Sequence, residues 1–187
     1  MEIILASRSP RRRLLLQSAG LAIEVCPSHI DESPLPDESV QQMVERLCQA
    51  KAMACDAPID IPVIAADTLV SIHGQALGQP TDLQHAKSML QQLSGQEHEV
   101  FTGVCVRLNQ HILFQQVRTG VRFRALHESE IDTYLLHNDV LDKAGAYAIQ
   151  AGAASFIESI DGPLDNVIGL PIRTTLNMIA EIKNIPA

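Results

Sequence analysis

Tryptophan is absent and other rings are scarce: two Tyr and four Phe make up 3% of the 187 residues. A chain so poor in aromatic faces has little on which to stack bases, which excludes a single-strand nucleic-acid platform of that kind. Positive charge is also in the minority, with 14 Lys and Arg against 22 Asp and Glu and a formal net charge of −8. That balance disfavours general polyanion binding. No apolar run approaches the roughly 18 residues needed to span a bilayer; Ile61 to Ala66 is typical of what is present. Met1 to Arg13 sets its arginines after a short apolar run, the reverse of a secretory signal peptide. The expectation is a soluble, cytoplasmic protein with neither nucleic acid nor membrane as partner.

Other absences narrow the chemistry. Cys26, Cys48, Cys55 and Cys105 form no CxxC pair, and they are read as small buried hydrophobes in a reducing compartment. The seven histidines show no HExxH or HxH spacing, so a zinc site has little support. There is no Walker A pattern, internal repeat, low-complexity tract or linker rich in Gly and Ser. What remains is globular: 46% hydrophobic and 19% charged residues, in a length that fits one domain over 1–187 or at most two small lobes.

Glu2 to Ala6 reads as a short buried strand. Ser9 then suits a helix N-cap, Pro10 the first helical position and Gly20 the C-terminal stop, with Leu14, Leu15 and Ala19 as the apolar face. Arg8, Arg11, Arg12 and Arg13 crowd this helix start. Cations there oppose the macrodipole by about 0.3–1 kcal/mol each. A bound phosphate reverses that sign, because backbone N–H groups and arginines then share one anion; otherwise the arginines fan into solvent. One basic spot on an acidic protein suggests a small anionic ligand. Asp31 and Glu32 follow on a loop broken by Pro27, Pro34 and Pro36. Ser39 and Gln42 form a capping box opening a helix from about Val40 to Cys55, with Val40, Met43, Val44, Leu47 and Ala54 as its stripe. Lys51 falls inside that stripe. It either snorkels to the edge or points into a cleft where an anion neutralises it.

Ile61 to Ala66 is a second buried-strand candidate, ending at Asp67-Thr68 before apolar Leu69-Val70. A carboxylate in an apolar run costs several kcal/mol unless paired, hydrogen-bonded or metal-bound. Asp67 therefore either serves a ligand at a strand end or is turned to solvent by a bend. His73-Gly74 predicts a hairpin turn. A helix is predicted from Asp82 to Leu93, with Leu83, Ala86, Leu90 and Leu93 on one face and Gly95 as its stop. Glu99 to Leu108 and Ile112 to Arg124 read as antiparallel strands joined around Asn109-Gln110. A helix from Glu128 to His137, small residues around Ile149 to Gly152, turns at Gly162-Pro163 and Gly169-Pro171, and a last helix from Arg173 to Ile182 complete the pattern. Hairpins and crossovers together define an α/β class with a mixed sheet.

Several stretches, taken in order, resemble one family across nearly the whole chain. They are Leu5-Ala6-Ser7-Arg8-Ser9-Pro10-Arg11-Arg12, Ile30-Asp31-Glu32, Ala50-Lys51-Ala52, Ala66-Asp67-Thr68, Leu93-Ser94-Gly95, Phe101-Thr102-Gly103-Val104, Asp142 to Tyr147 and Val167 to Pro171. The sequence is similar to the Maf family. The resemblance implies a mixed twisted sheet flanked by helices, related to inosine triphosphatases, with two lobes around a cleft. It implies hydrolysis of a nucleoside triphosphate between its α and β phosphates, giving a monophosphate and pyrophosphate with a divalent cation, Mg²⁺ or Mn²⁺. Asp67 matches the family's proton acceptor and, with Glu32, the expected metal ligands. Glu32 is the loop carboxylate of the catalytic set, and Arg12 and Lys51 match groups that hold the triphosphate.

Arg11, Thr68 and Gln150 match the branch acting on dTTP and UTP, and Ser9 joins them as a substrate-binding position. The alternatives implied are a 7-methyl-GTP-preferring branch, which usually carries Trp, Gln and Glu at those three positions, and a nucleotide-binding regulator of septation with weak turnover. Dimers are common in the family, so a homodimer is the assembly to test. One departure stands out: before Pro80 the family usually carries Lys, whereas this chain has Gly78-Gln79. Glutamine keeps a donor but loses the charge, a change worth about ten- to a hundredfold in rate.

Overall fold

A computed structural model describes residues 2–185. Its elements run β1 (Glu2–Leu5), α1 (Pro10–Ser18), β2 (Ala22–Val25), α2 (Val40–Ala54), β3 (Val63–Ile72), β4 (Gln75–Leu77), α3 (Leu83–Leu93) and β5 (Glu97–Leu108). They continue with β6 (His111–Phe123), α4 (Glu128–His137), three single 3₁₀ turns within 144–156, β7 (Ile157–Asp161), α5 (Leu164–Ile168) and α6 (Ile172–Lys183). The sheet order is β2-β1-β3-β5-β6-β7, with β4 beside β3. Parallel and antiparallel pairs occur together, as expected for a mixed α/β sheet. Among the described residues no helix is long and apolar enough to cross a membrane.

The chain divides into two compact units. The first comprises Met1–Asp67, Thr102–Val117 and Gly169–Ala187. Here β1 pairs in parallel with β2 and with β3, placing Leu5 beside Val25 and Ile64. Parallel strands need crossovers, and α1 and α2 supply them. Because both sheet faces are covered, β1 and the start of β3 read as unbroken apolar runs. Ile3, Leu5, Ile64 and Ala66 pack with Leu16 of α1 and Met178 and Ile179 of α6, while Ile4, Val63 and Ala65 pack with Cys48 and Ala52 of α2. That split is the period-two alternation of a strand. All four cysteines are free thiols, three of them buried.

The second unit comprises Thr68–Phe101 and Arg118–Ile168. His73 and Gly74, both at positive φ, form the two-residue turn between β3 and β4. Four of the six aromatic residues gather in this unit's core, with Phe123 edge-on to Tyr147 at 4.9 Å and Tyr134 to Phe156 at 5.0 Å. Scarce rings are thus spent on packing.

Three predicted apolar positions are corrected. Leu14 is 62% exposed and Leu83 55%, and Ala54 also faces solvent. In α1 the inward residue is Leu16, and in α2 the buried stripe drifts from Leu47 to Cys48 and Ala52. A helix advances 100° per residue, so a stripe extended by whole heptads leaves the core after three turns.

Candidate active site

The first charged group is set by the start of α1. Ser9 Oγ accepts from the Arg12 backbone N–H at 3.4 Å, and Pro10 fills the first helical position. Arg12 stands one turn before buried Leu16 and shares its inward face. It does not fan into solvent. Its Nε donates to the Gly169 carbonyl at 2.9 Å and its Nη1 to Ser7 Oγ at 3.2 Å. Burial lowers the guanidinium pKa from its ordinary value, and Asp67 and, more weakly, Glu32 act against that shift. Arginine stays charged in such a place, so a cation held at Nε and Nη1 lies in electrostatic reach of both carboxylates.

Those carboxylates meet on one lysine. Lys51, on α2, places Nζ 2.6 Å from Asp67 Oδ1 and 2.7 Å from Glu32 Oε2. The Lys51 side chain is 12% exposed and that of Asp67 7%, whereas Glu32 remains 56% exposed. The residue inside the apolar stripe is therefore neither snorkelling nor idle. Asp67 also departs from expectation: it lies within β3, which continues to Ile72, and not at a strand end. The strand tolerates it because Lys51 supplies a charge-assisted hydrogen bond where water cannot.

Arg12, Glu32, Lys51 and Asp67, far apart in the chain, are thus gathered within the first unit. Ser9 caps α1 there, and Arg11 follows it, half-buried. Thr68 opens the second unit's share of β3, half-buried, and strand alternation sends it to the sheet face opposite Asp67. Gln150 is exposed in the single turn Ile149–Ala151 of the second unit. Gln79 is exposed as well, and its amide donates to the Asp142 carbonyl at 3.3 Å.

Sequence reasoning missed the supports of this cluster. Ser7 accepts from both Arg12 and the Ser9 backbone N–H, a role the Ser7-x-Ser9 spacing signals. Exposed Arg8 donates to His29 Nε2 at 2.7 Å, linking the arginine-rich turn to the loop before Glu32. Nothing local in the sequence indicates that pairing. A groove bordered by Leu35, Pro36, Gln42 and Met53 on the outer side of α2 is lined by none of the four gathered charged residues.

The donor set fits a hard divalent cation of the magnesium type. Asp67 and Glu32 offer carboxylate oxygens converging on a single ammonium. Among the described residues no group of three His, Cys, Asp or Glu could hold a metal alone. Mg²⁺ is commonly bound in that way, by one or two carboxylates with phosphates and water completing its shell.

A mixed α/β sheet carrying cations and two carboxylates at one point defines a class of phosphate-handling enzymes, and comparison with known proteins gives it a family. The family model described as Maf-like protein matches residues 2–182, and the chain belongs to that family. The dTTP/UTP pyrophosphatase of Anaeromyxobacter dehalogenans (strain 2CP-C) is 44% identical over 181 residues, 95% of this chain and 92% of that protein. Those of Nitrosospira multiformis and Escherichia coli O6:K15:H31 are 44% identical over 193 residues and 43% over 180, covering 96% and 95% of this chain and 93% and 91% of theirs. The structure of the Staphylococcus aureus Ham1 protein matches 98% of this chain and all of that one at a TM-score of 0.51 and 11% identity, a likeness of fold.

Proposed function

We propose that the chain hydrolyses dTTP and UTP to the corresponding monophosphate and pyrophosphate, as one domain over 1–187, on free nucleotides in the cytoplasm. The observation that carries this reading is the Lys51 ammonium held between Asp67 and Glu32, with Arg12 in electrostatic reach of both. The relatives' names support the substrate class.

Without nucleotide, Lys51 and Arg12 together offset the charge of the two carboxylates. An arriving triphosphate offers Lys51, Arg12 and Arg11 an anion of higher charge, and the ammonium's remaining donor capacity turns to it. Asp67 then accepts a proton from the water that attacks the α-phosphorus. The bond from that phosphorus to the bridging oxygen breaks, and pyrophosphate leaves with its charge offset by the same cations. Asp67 and Glu32 would hold the divalent cation, which when bound polarises the α-phosphate and neutralises phosphate charge. Thr68 and Gln150, which match the dTTP/UTP branch, carry a hydroxyl and an amide of the kind that hydrogen-bonds a pyrimidine edge, and Ser9 keeps the arginine-bearing turn in place.

The test is pyrophosphate release from dTTP, UTP, 7-methyl-GTP and ATP with and without Mg²⁺ or Mn²⁺. The expected result is metal-dependent turnover favouring the two pyrimidine nucleotides, with Asp67→Asn reducing it about 10²–10⁴-fold while remaining folded. Preference for 7-methyl-GTP overturns the assignment, and full activity in Asp67→Asn removes Asp67 from the mechanism.

A further inference from the structure

Glu32 is the most exposed member of the cluster, and it sits on a loop between Val25 and Val40 that has no helix or strand of its own. An ion pair that open to water holds a loop only weakly. Something else must fix where the carboxylate stands. The first unit contains such a device a turn and a half before Lys51 on the same helix. Arg46 donates from Nε to Glu38 Oε1 at 2.5 Å and from Nη2 to Glu38 Oε2 at 2.7 Å, a two-pronged pair. Its Nη2 also donates to the Ser33 carbonyl at 3.0 Å, the residue next to Glu32. The loop is further tied within itself: Glu38 Oε2 accepts from the Leu35 N–H at 3.2 Å, and Asp31 Oδ1 from the Ser33 N–H at 2.9 Å. Unlike Glu32, the Glu38 side chain is only 7% exposed.

We propose that Arg46 is a positioning residue for Glu32, clamping the loop 31–38 to α2 so that Glu32 and Lys51 arrive at one point. This rests on the pyrophosphatase reading for its consequence in catalysis, but the clamp itself does not. The geometry of the guanidinium matters, because two parallel donors engage one carboxylate while a carbonyl takes another. Lysine at the same place keeps the charge and loses the fork. Arg46 is the chief cause holding the Glu38 carboxyl below its ordinary value. Arg46 touches no reacting atom. It acts through Glu32.

The experiment has two arms, on the full chain. In hydrogen exchange, Arg46→Ala and Glu38→Gln each speed exchange of the 31–38 amides while leaving the β1 and β3 amides protected. Unchanged loop exchange in both variants overturns the clamp whether or not the protein turns over dTTP. In dTTP hydrolysis with Mn²⁺, Arg46→Ala lowers kcat about ten- to a hundredfold, the cost of misplacing one group by about an ångström. KM for dTTP changes far less, Arg46→Lys recovers only part of the loss, and Arg46→Ala has no further effect once Glu32→Gln is present. Equal losses of kcat in the parent and Glu32→Gln backgrounds overturn action through Glu32. An inactive parent protein overturns the pyrophosphatase reading instead, and the exchange arm still decides the clamp.

Discussion

At the scale of single residues, the site turns on how a charge survives inside a strand. Asp67 follows Val63, Ile64, Ala65 and Ala66, all almost fully buried. Its partner must come from elsewhere in the chain, and Lys51, itself largely buried, makes the contact at 2.6 Å. Removing one member of a buried pair leaves the other's desolvation uncompensated. Lys51→Met should therefore lower stability at neutral pH by about 3 kcal/mol, toward the lower end of the usual range because Arg12 still offsets Asp67. Adding Asp67→Asn to Lys51→Met should recover most of that loss, since an amide needs a hydrogen bond but no counter-charge. Urea denaturation of the parent, the single variants and the double variant measures the coupling. Strictly additive effects would mean that the pair does not hold the strand and helix together.

At the scale of elements, the placement of Lys51 depends on how closely α2 approaches the sheet. Gly103 of β5 makes that approach: a Cβ there would lie 2.6 Å from Val44 Cγ1, 2.9 Å from Phe114 Cε2 and 3.3 Å from the Val44 carbonyl oxygen. Val44 lies two helical turns before Lys51, so a helix pushed outward at Val44 carries Lys51 with it. Gly103→Ala should cost about 1–3 kcal/mol through overpacking, and it should reduce turnover more than a surface change of equal stability cost. Denaturation midpoints paired with kcat check this; a variant as stable and active as the parent would show that α2 accommodates the methyl group.

The same element shows what was legible. Its start was readable because Ser39 and Gln42 satisfy one another's backbone groups within a single turn, and the reciprocal bonds are formed at 3.2 and 2.9 Å. The β3–β4 and β5–β6 turns were readable for the same local reason. At four mostly exposed residues β2 is too short for its pattern to stand out, and β7 is likewise largely exposed. Both are strands by virtue of their neighbours. The gathering of Arg12, Glu32, Lys51 and Asp67 was legible through motif resemblance, whereas the Arg46 clamp was not, because Arg46 and Glu38 look like two ordinary surface charges until the loop folds back.

At the scale of the whole molecule, pH acts through groups outside the cluster. The formal charge of −8 at neutral pH shrinks as the solution is acidified, and relief of self-repulsion should by itself favour the folded state. One buried group opposes that trend. His98 is 1% exposed, with Nε2 2.8 Å from Tyr147 Oη and Nδ1 without a hydrogen-bond partner. Burial alone lowers its pKa to about 4. The unfolded chain takes up this proton near pH 6.5 and the folded chain only near 4, so the contribution is complete above 6.5 and lost as pH falls to 4. The gap corresponds to about 3 kcal/mol. Glu130, depressed to about 2 chiefly by Arg124, loses its contribution only as pH falls from 4.5 towards 2, below most of the His98 window. Stability measured by denaturant at pH 7, 6.5, 6 and 5.5, all above the isoelectric point of about 5.3, should therefore fall steadily in the parent protein even as net charge diminishes. In His98→Gln, which keeps an amide for Tyr147 but cannot titrate, the profile over that interval should be level or rising. A parent profile as flat as that of the variant would remove His98 as the source of acid sensitivity.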